Sequence, residues 1–169
     1  MPNDSFEKIK ERLSKVKLFK DLTSEEMNRF VKIVNIRDFA ENEEILREGE
    51  KGGELYIVYE GEVEVQKKTI YGDYYTCAVL SGGSNCFFGE VALLDNDVRS
   101  ATIKSITPVS AFVIEHDDFM AFCNDNMVIG YKIMREISKL LCSRLRKADR
   151  DILTLFEALV EEIGTDKFL

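Results

Sequence analysis

Gly89-Glu90-Val91-Ala92-Leu93-Leu94-Asp95-Asn96-Asp97-Val98-Arg99-Ser100-Ala101-Thr102 sets a glycine turn and an acid ahead of a short apolar stretch. A lone arginine then precedes two small residues and a β-like run. The residues after Gly89 predict a short helix with Ala92 near its N-terminal end, where unpaired N–H groups and the helix dipole favour an anion. The planar guanidinium of Arg99 gives a phosphate paired, charge-assisted hydrogen bonds that a lysine cannot match. Small side chains at Ala92, Ser100 and Ala101 let the backbone approach that phosphate closely. Glu90 is suited to accept from a ribose 2′-hydroxyl, as acidic residues do in dinucleotide sites. Taken singly, Arg99 reads as a surface charge, Glu90 as a solvated turn residue, and Leu93 and Leu94 as core. The ordered set points to a small anionic nucleotide.

Working outward, residues 36–114 are rich in short β-type runs. Leu55-Tyr56-Ile57-Val58-Tyr59 and Val63-Glu64-Val65 flank a turn at Glu60-Gly61-Glu62, a hairpin pattern of β-branched and aromatic residues. Residues 74–80, 101–106 and 109–114 predict further strands, and glycines punctuate the region at turn-like intervals. Many short strands at this spacing imply an antiparallel sandwich, jelly roll or small barrel. Helical patterns flank it. Ser24 with Glu25 and Glu26 predicts a helix start whose apolar face is Met27, Phe30, Val31 and Val34. A short helix near 117–123 precedes a long one over 126–163. In the long helix Met127, Met134, Leu141, Ala148 and Leu155 recur every seven residues, with Tyr131, Leu145, Ile152 and Leu159 four after most of them and Ser138 the polar exception. This seam predicts packing on the chain's own domain over the first turns and helix pairing in a homodimer beyond Leu141.

The 169 residues suffice for one domain with a sizeable core. With 45% hydrophobic and 32% charged residues the chain is globular rather than disordered. Its net charge of −8 argues against nucleic acid and anionic lipid as direct partners. The N-terminus has no apolar signal region and no run reaches membrane-spanning length, so a cytoplasmic location is expected. Cys77, Cys86, Cys123 and Cys142 are scattered without a CxxC pair, and read as free thiols. A cupin-type metal enzyme needs several histidines, and His116 stands alone. No nucleophile elbow or P-loop is present. The expectation is neither an enzyme nor a metal or cofactor protein.

The stretch Phe88-Gly89-Glu90-Val91-Ala92-Leu93-Leu94, with Arg99-Ser100-Ala101-Thr102 at its offset, resembles the phosphate-binding cassette of cyclic nucleotide-binding domains. That family includes the catabolite activator protein, regulatory subunits of cAMP-dependent kinase and cyclic-nucleotide-gated channels. Leu18-Phe19-Lys20-Asp21-Leu22 is similar to the family's opening signature, and Leu55-Tyr56-Ile57-Val58 with Gly61-Glu62-Val63 to its central hairpin. The resemblance covers about residues 18–149. It implies a mainly β fold, a double-stranded β-helix jelly roll with flanking helices and a long C-terminal helix. The implied organisation is a helical segment 1–34, a roll 35–116 with the cassette at 88–102, and lid and dimerisation helices 117–169.

By the same resemblance Glu90 binds the ribose hydroxyl and Arg99 the cyclic phosphate. Gly89, Val91, Ala92, Ser100 and Ala101 add the remaining contacts. Threonine at the Ser100 position goes with cGMP and alanine with cAMP in kinase-type domains, while serine stands there in the cAMP-binding activator; the reading favours cAMP, with cGMP open. Base contacts fall near Arg146, Ala148, Asp149 and Arg150, residues that read equally as a solvated helix face. Two departures stand out. The loop 81–87 looks about two residues longer than usual, and nothing like a helix-turn-helix follows the long helix. The implied role is a cAMP or cGMP sensor that signals through its C-terminal helix to an unidentified effector. The alternative is a degenerate domain that serves as a ligand-free dimerisation scaffold.

Overall fold

The computed structural model describes residues 2–82 and 86–165. By internal contacts the chain divides into two compact units, residues 1–133 and 134–169. The first begins with helix α1 (Pro2–Ser14), a 3-10 turn Lys17–Phe19 and helix α2 (Ser24–Phe30). Thr23 caps α2 by accepting from the Glu26 N–H, and the Glu26 carboxylate accepts from the Thr23 N–H in return. This reciprocal cap satisfies two of the N–H groups that a helix start leaves open.

Eight strands follow: β1 (Asn35–Phe39), β2 (Glu44–Leu46), β3 (Leu55–Glu60), β4 (Glu62–Lys68), β5 (Tyr74–Ser81), β6 (Phe87–Phe88), β7 (Thr102–Ser105) and β8 (Val109–Ile114). They form two four-stranded sheets, β1-β8-β3-β6 and β2-β7-β4-β5, with antiparallel pairing throughout. The expected jelly-roll architecture with flanking helices is the one observed. The β3–β4 hairpin turns at Gly61, whose φ of 89° no β-branched residue adopts readily. A Cβ there would lie 2.2 Å from the Pro108 carbonyl oxygen, so only glycine fits. Between the sheets Tyr56, Val58, Val63, Phe88, Ile103 and Val113 pack as one core, with Tyr56 and Phe88 stacked at 5.2 Å between ring centres.

Strands β1, β2 and β6 escape a reading of the sequence by periodicity. Strand β1 is exposed over four of its five residues and shows no alternation, and β6 has only two. Part of the longer loop, residues 83–85, lies outside the described residues.

Helix α3 (Glu90–Asp95) interrupts the roll between β6 and β7. Helix α4 (His116–Asp125) follows β8, and helix α5 (Met127–Thr165) runs on from it. The buried positions in its first turns are Ile129, Ile133 and Ile137, a four-residue repeat. The expected inner positions Met127 and Tyr131 are instead 77% and 65% exposed. The spacing Ile129–Ile133–Ile137 keeps strictly to i, i+4 and so defines a different face from the seven-residue seam. The second unit holds the remainder of this helix, and from Leu145 to Ile163 its residues are exposed.

Candidate functional site

The cassette is held at both ends by left-handed backbone. Gly89 (φ 86°) precedes α3 and Asn96 (φ 51°) ends it, the Asn96 N–H donating to the Ala92 carbonyl at 2.9 Å. A Cβ on Gly89 would sit 2.4 Å from the Glu54 carbonyl oxygen and 3.0 Å from Arg99 Nη1. Glycine is therefore required here both by conformation and by room. Glu90, in the first turn of α3, is 2% exposed, and Ala92 and Leu93 are buried beside it.

Arg99 is 4% exposed although it lies in the loop before β7. Its backbone is pinned on both sides: its N–H donates to the Glu50 carbonyl at 2.8 Å and its carbonyl accepts from Gly49 at 2.9 Å. Its guanidinium donates through Nη1 to the Glu54 carbonyl at 2.8 Å and through Nη2 to the Glu54 carboxylate. A Cβ on Gly52 would come within 2.9 Å of Nη2, so that glycine also makes room for the arginine. The network continues outward. Arg37 on β1 lies with Nη1 4.0 Å from the Glu54 carboxylate and 3.4 Å from the Tyr56 hydroxyl, and its Nη2 pairs with Glu115, the residue before α4. Burial first, and the Glu54 charge second, push the Tyr56 hydroxyl pKa up. A cavity of about 200 Å³ opens beside Arg99, with Arg47, Lys51, Glu54 and Tyr56 on its wall.

The far limb of the cassette is clasped by β4. Lys67 Nζ donates to the Glu48 carboxylate at 2.9 Å and to the Ser100 carbonyl. Glu48 also accepts from the Lys68 N–H at 3.0 Å and donates its own N–H to the Thr102 hydroxyl at 3.0 Å. The hydrogen bond from Lys67, then that from the Lys68 backbone, hold the Glu48 carboxyl below its ordinary pKa. On the opposite side, His116 Nδ1 lies 2.7 Å from the Leu93 carbonyl. A carbonyl only accepts, so Nδ1 carries the proton, and this bond ties α3 to the first turn of α4.

The structure thus brings Gly89, Glu90, Val91, Ala92, Arg99, Ser100 and Ala101 together on one short excursion between β6 and β7, with Ser100 exposed and Ala101 half-buried. Arg146, Asp149 and Arg150 belong to the second unit and are exposed there. Glu48, Glu54 and Lys67 were not singled out from the sequence. Glu54 stands 45 positions from the arginine it meets, a separation at which local pattern carries no signal. A sharper reading had one clue, an acid placed between the glycine pair 52–53 and a strongly apolar strand. Among the described residues no group of three or more His, Cys, Asp or Glu side chains is arranged to hold a metal ion. No helix among them is long and apolar enough to cross a membrane.

The roll carries a buried glutamate at the start of a glycine-led helix and a buried arginine in the segment that follows it. The chain belongs to the cyclic nucleotide-binding domain family, whose model matches residues 36–126. It is 32% identical over 114 residues to the cAMP-dependent protein kinase regulatory subunit of Dictyostelium discoideum, covering 67% of this chain and 35% of that one. It is 29% identical over 143 residues to the cyclic AMP receptor protein of Thermus thermophilus, covering 83% and 63%. Identity to the human cGMP-dependent protein kinase 2 is 29% over 147 residues, covering 86% and 18%. The chain therefore spans less than two thirds of each of these relatives. Among solved structures it matches the Thermus thermophilus catabolite activator protein with a TM-score of 0.73 and 28% identity over 82% of this chain and 62% of that one. A cyclic nucleotide-binding domain from Methylobacillus flagellatus matches with a TM-score of 0.74 and 27% identity over 89% and 83%. The family is regulatory rather than catalytic.

Proposed function

We propose that the chain is a cyclic nucleotide sensor, with the cyclic phosphate on Arg99 and the ribose 2′-hydroxyl on Glu90. The observation that carries this reading is the burial of both side chains within one cassette, with the Arg99 guanidinium oriented by Glu54 beside a cavity of about 200 Å³. Arg99 is held by Glu54 and would offer the rest of its donor edge to an incoming anion. The N–H groups at the start of α3 and the small residues Ala92, Ser100 and Ala101 complete the cradle. cAMP is the favoured ligand over cGMP. The kinase regulatory subunits of Dictyostelium discoideum and Mycosarcoma maydis, 32% and 36% identical, carry cAMP in their names.

Binding would draw α3 toward the phosphate, and the His116 bond to Leu93 would carry that shift into α4 and the helix that follows. The output is then a difference in helix position, read by a second copy of the chain or an effector protein. Pairing of two copies is supported by Leu145, Ile152, Leu155 and Leu159, which are 53–71% exposed along one heptad seam. Base contacts from Arg146, Asp149 or Arg150 belong to the same reading. Calorimetric titration of the nucleotide-free chain with cAMP and cGMP tests it. Saturable binding that weakens by about 2–5 kcal/mol on Arg99→Ala is expected, the cost of truncating one side of a desolvated charged pair. No heat or thermal shift with either nucleotide at millimolar concentration would leave the scaffold alternative standing.

A further inference from the structure

Lys67 lies outside the cassette, on β4, yet its ammonium is bonded to the cassette backbone at the Ser100 carbonyl. The same ammonium is anchored by Glu48, which is itself fixed by the Lys68 N–H and tied to Thr102. The lysine therefore does not sample solvent as a lone surface charge. It is held in one place by a carboxylate that the Lys68 N–H holds in turn.

The consequence follows from peptide geometry. Across a trans peptide the carbonyl of one residue and the N–H of the next point to opposite sides of the chain. With the Ser100 carbonyl turned onto the Lys67 ammonium, the Ala101 N–H is directed away from β4. A cation on a carbonyl also polarises the amide, which strengthens the N–H as a donor. Pairing Lys67 with Glu48 keeps the local charge balanced when no anion is bound.

We propose that Lys67 is a positioning residue of the anion site: by holding the Ser100 carbonyl, it sets the Ser100–Ala101 peptide so that the Ala101 N–H donates to the bound phosphate. This inference rests on the cyclic nucleotide reading above. A merely structural role, tying the segment before β3 to β4, would instead show in the stability of the unliganded protein.

The test uses the full chain freed of nucleotide, with cAMP as the probe, and compares the parent with Lys67→Met, Lys67→Gln and Lys67→Arg. Calorimetry gives the Kd, thermal unfolding the unliganded midpoint, and ¹⁵N-resolved amide spectra the Ala101 response. Lys67→Met is expected to raise the Kd by about 10–100-fold, the size of one lost hydrogen bond to a charged group. The unliganded midpoint should stay within about 2–4 °C of the parent. Lys67→Arg should restore most of the affinity, and Lys67→Gln should fall between. The downfield move of the Ala101 amide on cAMP binding should shrink in Lys67→Met and return in Lys67→Arg. Should Lys67→Met fail to fold, Lys67→Gln and Lys67→Arg carry the same comparison. Parent-like affinity with an unchanged Ala101 response in Lys67→Met or Lys67→Gln overturns the inference while leaving the cyclic nucleotide reading intact. A drop in midpoint with no change in Kd assigns Lys67 a structural role only. A parent chain that binds neither cAMP nor cGMP defeats the nucleotide reading and this inference together.

Discussion

Replacing Glu54 by glutamine should push stability and affinity in opposite directions. Arg99, 4% exposed, donates to both the backbone and the carboxylate of Glu54. Removing one partner of a fully buried ion pair costs about 3–5 kcal/mol. Glu54→Gln keeps the backbone acceptor and a side-chain amide oxygen, and the Glu54 side chain is 25% exposed, so about 2 kcal/mol is the better figure. For a chain of this length that lowers the unliganded thermal midpoint by about 4–8 °C. The nucleotide meets the converse. A phosphate on Arg99 places a second negative charge beside the Glu54 carboxylate. At a separation of about 6 Å and an effective dielectric of about 20 the two repel by about 3 kcal/mol, and partial exposure roughly halves this. Glu54→Gln should therefore bind cAMP about tenfold more tightly while being less stable without it. Calorimetry and unliganded thermal unfolding on the same preparations give both quantities. Weaker binding by Glu54→Gln would refute the reasoning, because it would mean that the carboxylate orients Arg99 for the anion rather than competing for it.

Three further outcomes are expected. Leu145→Asp combined with Ile152→Asp places charge a heptad apart on the exposed seam and should yield monomers by light scattering, where a persisting dimer would locate the interface elsewhere. Burial pushes the Cys86 thiol up to about 11 and also raises Cys123. Because the thiolate is the reacting form, maleimide should label exposed Cys77 and Cys142 first and Cys86 last at neutral pH, by mass mapping. Lys132 holds both Glu26 oxygens at 2.7 Å, and with the Thr23 N–H it lowers the Glu26 pKa from 4.5. A depressed carboxyl pKa stabilises the fold above the unfolded value and loses that stabilisation as pH falls through the folded one. Lys132→Ala should thus cost up to about 1 kcal/mol at neutral pH, and the difference from the parent should shrink as pH falls below the ordinary glutamate range and through the depressed folded pKa, read by denaturant melts.

What the sequence disclosed and what it withheld follow from the range of the interactions involved. The cassette was legible because its parts act within fourteen residues: Gly89 opens the turn, Glu90 leads the helix, and Arg99 follows at an offset fixed by one short helix. The β3–β4 hairpin was legible because Gly61 sits between two runs of β-branched and aromatic residues. Strand β1 was hidden because its pairing with β8 spans seventy positions or more and its side chains are mostly exposed, so no alternation marks it. The long helix was foreseen, but its buried face follows Ile129, Ile133 and Ile137 while the heptad seam passes through exposed Met127 and Tyr131. The partners of the site were illegible for the same reason as β1: Glu54 reaches Arg99 across 45 positions and Lys67 reaches Ser100 across 33.

The crowding around Gly89 and Gly52 also governs how this site can diverge by point mutation. Every codon change away from glycine adds a Cβ. At Gly89 that atom strikes the Glu54 carbonyl at 2.4 Å in a backbone conformation that side chains resist, and at Gly52 it strikes the guanidinium of Arg99 at 2.9 Å. Gly89 is therefore closed to adaptive drift, while a change at Gly52 would have to displace the arginine. Ser100 is exposed and carries no such obstruction, so on the proposed nucleotide reading inheritable changes in ligand preference would have an open route there, beside neighbours that are held fixed.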